Sequence, residues 1–545
     1  MRASILPAGG SRVPAALVLR LALYCAAVVL LVNRSAWPPI ESDGFYYLTV
    51  ARNFVETGRF TYDQIHTTTG FHWAWMGVLV LAASGVRWVG LPLDTALYVQ
   101  VAALLNVAAY AGAMVLGQQM LRPYAADGRW ATFLTLAVFL EPGALTTAVL
   151  GMETALLLLA LLLLGAALRA GRPGAGAAAL SLAVLTRTEA LLLYPLYWLL
   201  LRRRHTAASL ALPPAAAAAT LVLNRLANGT WLNNAAVVKR YWAQVGWEHV
   251  FLPAEPLAKV LGAVLGLGSI DWSVEWALYR LFVERSALGW VALPVLAATG
   301  WLVLRNREQA WRGAPRVLAD PAAAVLGVYA VVTFVLYKTL LFRPSLAGVP
   351  DYEAPWYYVP VAVVATLSLG AALLVDRDRR ALGGALLVGV VCLGWAIHVD
   401  ALARRPARLD APAQQCEPAA PDAAFAVPYG WDLAYYRRVR EVVADGVVTG
   451  RNIATGEHYP DALRAGRAGS YLQGLGVAYV DPFLPELLRF AGGFATTGLR
   501  PVVLCGFPYY YLTPLDGARS GTVGARRGAA RSRSGRRRGR VRTAA

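Results

Sequence analysis

From Val13 to Val32 the chain reads VPAALVLRLALYCAAVVLLV, twenty residues in which Arg20 is the one charge. A helix rising about 1.5 Å per residue needs about that many apolar residues to cross a roughly 30 Å hydrocarbon layer, so this stretch reads as a membrane span. No small-residue cleavage signal follows it directly, which makes it an anchor rather than a removed signal peptide, with the mature chain expected to start near Met1. Similar runs recur near 71–86, 93–120, 130–147, 150–168, 175–185, 190–201, 207–223, 288–304, 322–341, 356–375 and 382–398. Across all 545 residues 57% are hydrophobic and 15% charged, and mean hydropathy is +0.48. A soluble globular chain carries about 25% charge, so water is not the main solvent here.

The formal charge of +19 has two sources: short basic loops between apolar runs and an Arg-rich tail from Arg519 to Arg542. Neither is a folded basic face with stacking aromatics, so no nucleic-acid partner is expected. Loops rich in Lys and Arg lie on the cytoplasmic side of a membrane. Arg169 and Arg172, Arg202 to His205, Arg305 to Arg316 and Arg377 to Arg380 therefore read as cytoplasmic. The N-terminus then lies inside, and a first external loop (33–70), a second external loop (224–285) and everything after about 399 lie outside. That topology needs an odd number of spans. Twelve apolar runs give about eleven crossings, with either 71–86 at the interface or the 175–201 pair fused into one broken helix. Beyond 399 the composition is that of a soluble external domain, 400–516, with short apolar runs such as Val442 to Val448 and Val477 to Val480 between turn signals. The tail, 517–545, is disordered by composition. Cys25 and Cys392 lie in apolar runs; Cys416 and Cys505 lie in the external domain, where they are expected to pair as a disulfide.

The first external loop carries Glu41-Ser42-Asp43-Gly44-Phe45-Tyr46-Tyr47-Leu48 and runs on to Asn53-Phe54. From Phe45, the positions of Tyr46 or Tyr47, Val50, Phe54 and Val55 share a helix face, which predicts an amphipathic helix lying along the membrane surface. Asp43 sits just before it, where an acceptor hydroxyl and a lipid-borne phosphate can meet. It reads either as a helix cap or as a general base, and the two roles are compatible.

These residues carry a resemblance. Asp43 to Asn53, then Gly58, then Thr67-Thr68-Thr69-Gly70-Phe71-His72-Trp73-Ala74-Trp75, is similar to the first external loop of bacterial GT-C glycosyltransferases, among them arabinofuranosyl- and mannosyltransferase-like families. Gly151-Met152-Glu153-Thr154 resembles their Gly-Leu-Glu-Thr element, Leu185-Thr186-Arg187-Thr188-Glu189 their Leu-Thr-Arg-Pro-Glu element, and Asn233-Asn234-Ala235 to Lys239 their Pro-Asn-Thr to Lys element. The order along the chain is the same. The chain departs at Ser42, where the family has the first acid of a pair and Glu41 stands one position earlier, and at Thr188 and Ala190, where it has proline and glycine.

The resemblance implies an α-helical polytopic GT-C bundle of about eleven transmembrane helices, over 1–399, with a small α/β external domain behind it. It also implies an inverting transferase at the outer face of the plasma membrane, with a polyprenyl-phosphate sugar as donor and a cell-envelope glycan as acceptor. Asp43, with Glu41 as its neighbour, is the implied base. A carboxylate with an ordinary pKa near 3.9 is ionised at neutral pH and can take the acceptor's proton, while the leaving lipid phosphate needs cations. Arg52 and Lys239 are the candidates for that charge, though either also reads as an interfacial or snorkelling residue. His66, His72 and Asn234 are candidate substrate contacts. Glu153, Arg187 and Glu189 fall in apolar runs, where charge is costly and is either functional or paired in a structural ion pair. No tightly bound metal is expected from two histidines six residues apart, although some GT-C enzymes use a divalent ion. The rival readings are a flippase for a lipid-linked glycan and an inactive glycan-binding relative.

Overall fold

The structure is a computed structural model that describes residues 15–33, 42–93, 96–124, 128–140, 144–145, 148–202, 204–235 and 320–336, together with 424–427, 441–443, 450–465, 467–475, 477–480, 500–504 and 507–511. The expected spans at 288–304, 356–375 and 382–398, the tail and the Cys416–Cys505 pair lie outside these residues.

Helices α1 (Ala15–Asn33), α3 (Trp73–Trp88), α4 (Ala96–Leu121), α5 (Gly128–Phe139), α6 (Thr154–Arg169), α7 (Pro173–Thr186), α8 (Tyr194–Leu201), α9 (Ala207–Asn228) and α10 (Pro321–Leu336) follow the apolar runs. α6 is central. It is apolar on every side and packs against α4, α7 and α10. Gly165 faces α4 and α10 at close range: a Cβ there would stand 3.0 Å from the Met120 methyl and 3.3 Å from the Ala322 methyl, so a small residue suits the helix spacing. The outer surface is apolar as well, with Leu81, Leu104, Leu199 and Leu226 exposed, whereas Asn106, Gln118, Glu153 and Arg187 are buried. That inversion of the soluble pattern fits lipid as the surrounding solvent. Leu97–Leu121 and Ala207–Asn228 are each long and apolar enough to cross a membrane.

Proline placement in α9 is legible in its neighbours. Pro213 and Pro214 stand inside the helix and cannot donate to the carbonyls four residues back, those of Ser209 and Leu210. Tyr197 donates its hydroxyl to Ser209 O at 3.2 Å and Tyr194 donates to Leu210 O at 3.0 Å, so α8 replaces the missing bonds. Tyr197 also reaches Pro173 O at 2.9 Å. This contact corrects one expectation: the 175–201 pair is not a single broken helix. The chain reverses after α7, through an extended Arg187 and a 3-10 turn at Thr188–Leu193, and α8 runs back beside the start of α7.

A second correction concerns α2 (Ser42–Thr57). It is buried on all sides from Gly44 to Asn53, not half-exposed along a surface. The reason lies in the loop that follows: Asn53 donates to Thr61 O at 2.8 Å and Tyr62 O at 2.9 Å, folding residues 58–72 over the polar face.

The C-terminal part holds a five-stranded sheet of order β2-β1-β3-β5-β4, from β1 (Ala424–Val427), β2 (Glu441–Val443), β3 (Val477–Val480), β4 (Arg500–Leu504) and β5 (Phe507–Tyr511). β1 pairs in parallel with β2 and β3, and β5 is antiparallel to β3 and β4. Two short helices, α11 (Tyr459–Arg464) and α12 (Ala468–Gly474), precede β3.

Candidate active site

Three side chains converge on the Glu153 carboxylate, which is fully buried. Arg187 Nη2 donates to its Oε1 at 2.5 Å, Tyr47 of α2 donates to its Oε2 at 2.9 Å, and His72 Nε2 lies 3.5 Å from Oε1. Glu189 Oε1 is 3.6 Å from Arg187 Nη1. His72 is the member that opens outward, with 25% of its side chain exposed against 1% for Glu153. Burial first, and the Glu153 carboxylate second, push the Tyr47 phenol well above its ordinary pKa, so it stays a donor. Its oxygen in turn accepts the His72 backbone N–H at 3.2 Å.

Local backbone sets this cluster. Gly151 has φ +87°, a conformation side chains disfavour, which lets the chain bend sharply before α6. Gly151 O accepts from Trp75 Nε1 at 2.7 Å and Met152 O from Asn106 Nδ2 at 3.1 Å, so Glu153 is presented from a strap pinned to α3 and α4. Arg187 is the extended residue that ends α7.

A second network joins the first loop to the C-terminal part. Residues 65–67 pair antiparallel with 450–453 through Thr67 N–H to Arg451 O at 2.9 Å, Gly450 N–H to Thr67 O at 3.0 Å and Ile453 N–H to Ile65 O at 2.8 Å. His66 is buried at this seam, its Nδ1 2.6 Å from Asp63 Oδ2 and its Nε2 2.6 Å from the Tyr471 hydroxyl. Tyr471 also accepts from Asn452 at 3.3 Å, and burial pushes its phenol up to about 12. Every donor is satisfied when the histidine proton sits on Nδ1. A third group, Thr67, Thr69, Asn228 and Asn234, ties the same loop to the end of α9: Thr67 donates to Asn228 Oδ1 at 2.7 Å, and Asn228 donates to Asn234 Oδ1.

The sequence-expected residues thus fall into distinct places. His72, Glu153, Arg187 and Glu189 meet. His66 has both ring nitrogens engaged by protein, and Asn234 is fully buried against Thr69. Arg52 is buried in the middle of α2, not in an exposed loop, because that helix is enclosed. Asp43 stands in the first turn of α2, not before it, and is partly buried. Glu41 and Lys239 lie outside the described residues. Asp63, Asn228 and Asn452 carry no motif or spacing signal in the sequence, and their roles come from contacts across the fold. Among the described residues no group of three or more His, Cys, Asp or Glu side chains converges as for a metal.

No family model and no curated protein matches the chain. Among solved structures it is similar to the apo crystal structure of the Archaeoglobus fulgidus oligosaccharyltransferase, at TM-score 0.43 and 15% identity over 85% of this chain and 69% of that one. It is likewise similar to the archaeal oligosaccharyltransferase AglB from Archaeoglobus fulgidus in complex with an inhibitory peptide and a dolichol-phosphate, at TM-score 0.44 and 14% identity over 85% of this chain and 69% of that one. The oligosaccharyltransferase of Archaeoglobus fulgidus tethered with an acceptor peptide containing the NVT sequon gives TM-score 0.42 and 11% identity over 90% of this chain and 73% of that one.

Proposed function

We propose that the chain is a GT-C-type membrane glycosyltransferase that moves a sugar from a polyprenyl-phosphate donor to a cell-envelope glycan at the outer face, inverting the anomeric carbon, with Asp43 as base. The supporting observation is the placement of α2. Asp43 and Tyr47 are four residues apart and so share a helix face, and Tyr47 is fixed to Glu153 at 2.9 Å. The Glu153–Arg187 pair therefore acts as a buried peg that sets the rotation of α2 and the position of the carboxylate one turn above. Asp43 takes the hydroxyl proton as the acceptor oxygen bonds to the anomeric carbon, and the bond to the lipid phosphate breaks. Arg187 is committed to two carboxylates, so the charge on the leaving phosphate falls to Lys239 in this reading. Of the two ends of the bundle, one carries Arg169, Arg172 and Arg204 and takes the cytoplasmic side; the other carries the 58–72 loop and the 450–475 segment.

The test is transfer from radiolabelled polyprenyl-phosphate sugars in membranes. Asp43 lies in the first turn of α2 and is only partly buried, so Asp43→Asn is expected to insert normally and to lose roughly two to four orders of magnitude in rate. Lys239→Met is expected to weaken donor use. Near-normal transfer by Asp43→Asn with loss in Glu41→Gln moves the base by two positions, full activity in both refutes a first-loop acid as the base, and no transfer by the parent refutes the enzyme.

A further inference from the structure

We propose that the cleft between the end of α9 and the 450–461 segment is a binding site for a neutral, hydroxyl-rich sugar unit of the acceptor; this rests on the transferase reading above. The open cleft has a volume of about 320 Å³ and is lined by Asn228, Thr230, Arg451, His458 and Asp461, together with Gly229 and Gly456. Pockets for small ligands start at about this size. The lining chemistry is mixed: amide, hydroxyl, guanidinium, imidazole and carboxylate. A polyol offers donors and acceptors in every direction and matches that mixture, whereas an anion would meet the Asp461 carboxylate.

Two glycines make the space. Gly229 has φ +78° and Gly456 φ +75°; a Cβ on Gly456 would stand 3.1 Å from Arg451 Nη2. Arg451 is held by Nε to Gly456 O at 3.0 Å, and its backbone N–H donates to Asn228 Oδ1 at 3.1 Å, so the guanidinium is aimed before any ligand arrives. Trp231, next in sequence to Thr230, is 57% exposed, and the Arg225 guanidinium stands 5.9 Å from its ring centroid. An exposed indole one residue along the chain from the lining Thr230 suits the C–H face of a sugar ring. One hydrogen bond behind Asn228, Asn234 is fully buried and its Nδ2 has no hydrogen-bond partner among the described residues, an unmet donor at the back of the same wall. The wall is continuous with the loop that ends at His72, through Thr67 to Asn228.

The experiment uses the full chain in nanodiscs, with methyl α-D-arabinofuranoside, methyl α-D-mannopyranoside and their α-linked disaccharides as probes and inorganic phosphate as competitor, read by saturation-transfer NMR. At least one glycoside is expected to bind, to resist phosphate, and to bind about tenfold more weakly to Trp231→Ala and Asp461→Asn, both exposed positions. Asp43→Asn is expected to bind it as the parent does. No binding by any glycoside, binding unchanged in both cleft variants, or displacement by phosphate overturns the site. Glycoside binding that meets the expectation while Asp43→Asn still transfers sugar leaves the cleft standing and removes the catalytic reading; loss of transfer in Asp43→Asn with no cleft-dependent binding does the reverse.

Discussion

At the scale of single residues, Glu153 and Arg187 show what a charge in apolar sequence is for. Their burial was legible, because a lone charge in such a run is costly and needs a partner. Their partners were not, since Tyr47 lies 106 positions from Glu153 and no pattern links the two. Removing one member leaves the other charged and buried, so Glu153→Gln or Arg187→Met is expected to cost about 3–5 kcal/mol, and the double change less than the sum. Thermal unfolding of the purified variants in one detergent checks this, and additive losses would refute the coupling. Gly450 makes a different point. A Cβ there would stand 2.3 Å from both Asn228 Oδ1 and Thr67 O and 2.7 Å from Asn234 Nδ2. Gly450→Ala is therefore expected to detach the C-terminal segment from the first loop, seen as a new protease-sensitive site in an otherwise inserted protein.

At the scale of elements, hydropathy located the helices and missed how they turn. The 175–185 and 190–201 runs leave a broken helix and a reversal equally open, and the evidence for the reversal at Arg187 lies in tyrosine hydroxyls. Tyr194 and Tyr197 restore what Pro213 and Pro214 remove, so Tyr197→Phe, which orphans Ser209 O and loosens Pro173 O, is expected to destabilise by about 1–3 kcal/mol. Tyr197→Phe with Pro213→Ala is expected to recover part of it, by the same melting measurement. The same end of the bundle has a second tie: Arg169 and Tyr124 both donate to Asp320, which precedes α10. Burial opposes the Asp320 charge, but the hydrogen bonds from Arg169 and Tyr124 outweigh it and hold the carboxyl below its usual range. A depressed carboxyl stabilises fully above its unfolded value, about pH 4, and loses that contribution as pH falls through the folded value. The melting temperature of the parent is expected to drop below about pH 4 more steeply than that of Asp320→Asn.

At the scale of the molecule, the basic loops predict that the end carrying Arg169, Arg172 and Arg204 faces the cytoplasm. Single cysteines placed at Arg172 and Arg59, in a chain whose four native cysteines are all replaced, are expected to react with an impermeant maleimide from opposite sides of sealed vesicles. Labelling from the same side would refute the topology. What the sequence could not disclose is that the first loop borrows its pairing partner from the far part of the chain, across 384 positions from Thr67 to Arg451. That distance becomes time during synthesis. At about 5–20 residues per second, roughly 20–80 s separate the emergence of the loop from that of the strand that closes it. Through that interval Ile65 to Thr67 is an open edge able to accept any passing strand, and a ribosome that stalls before Gly450 leaves an inserted bundle whose loop has never been closed.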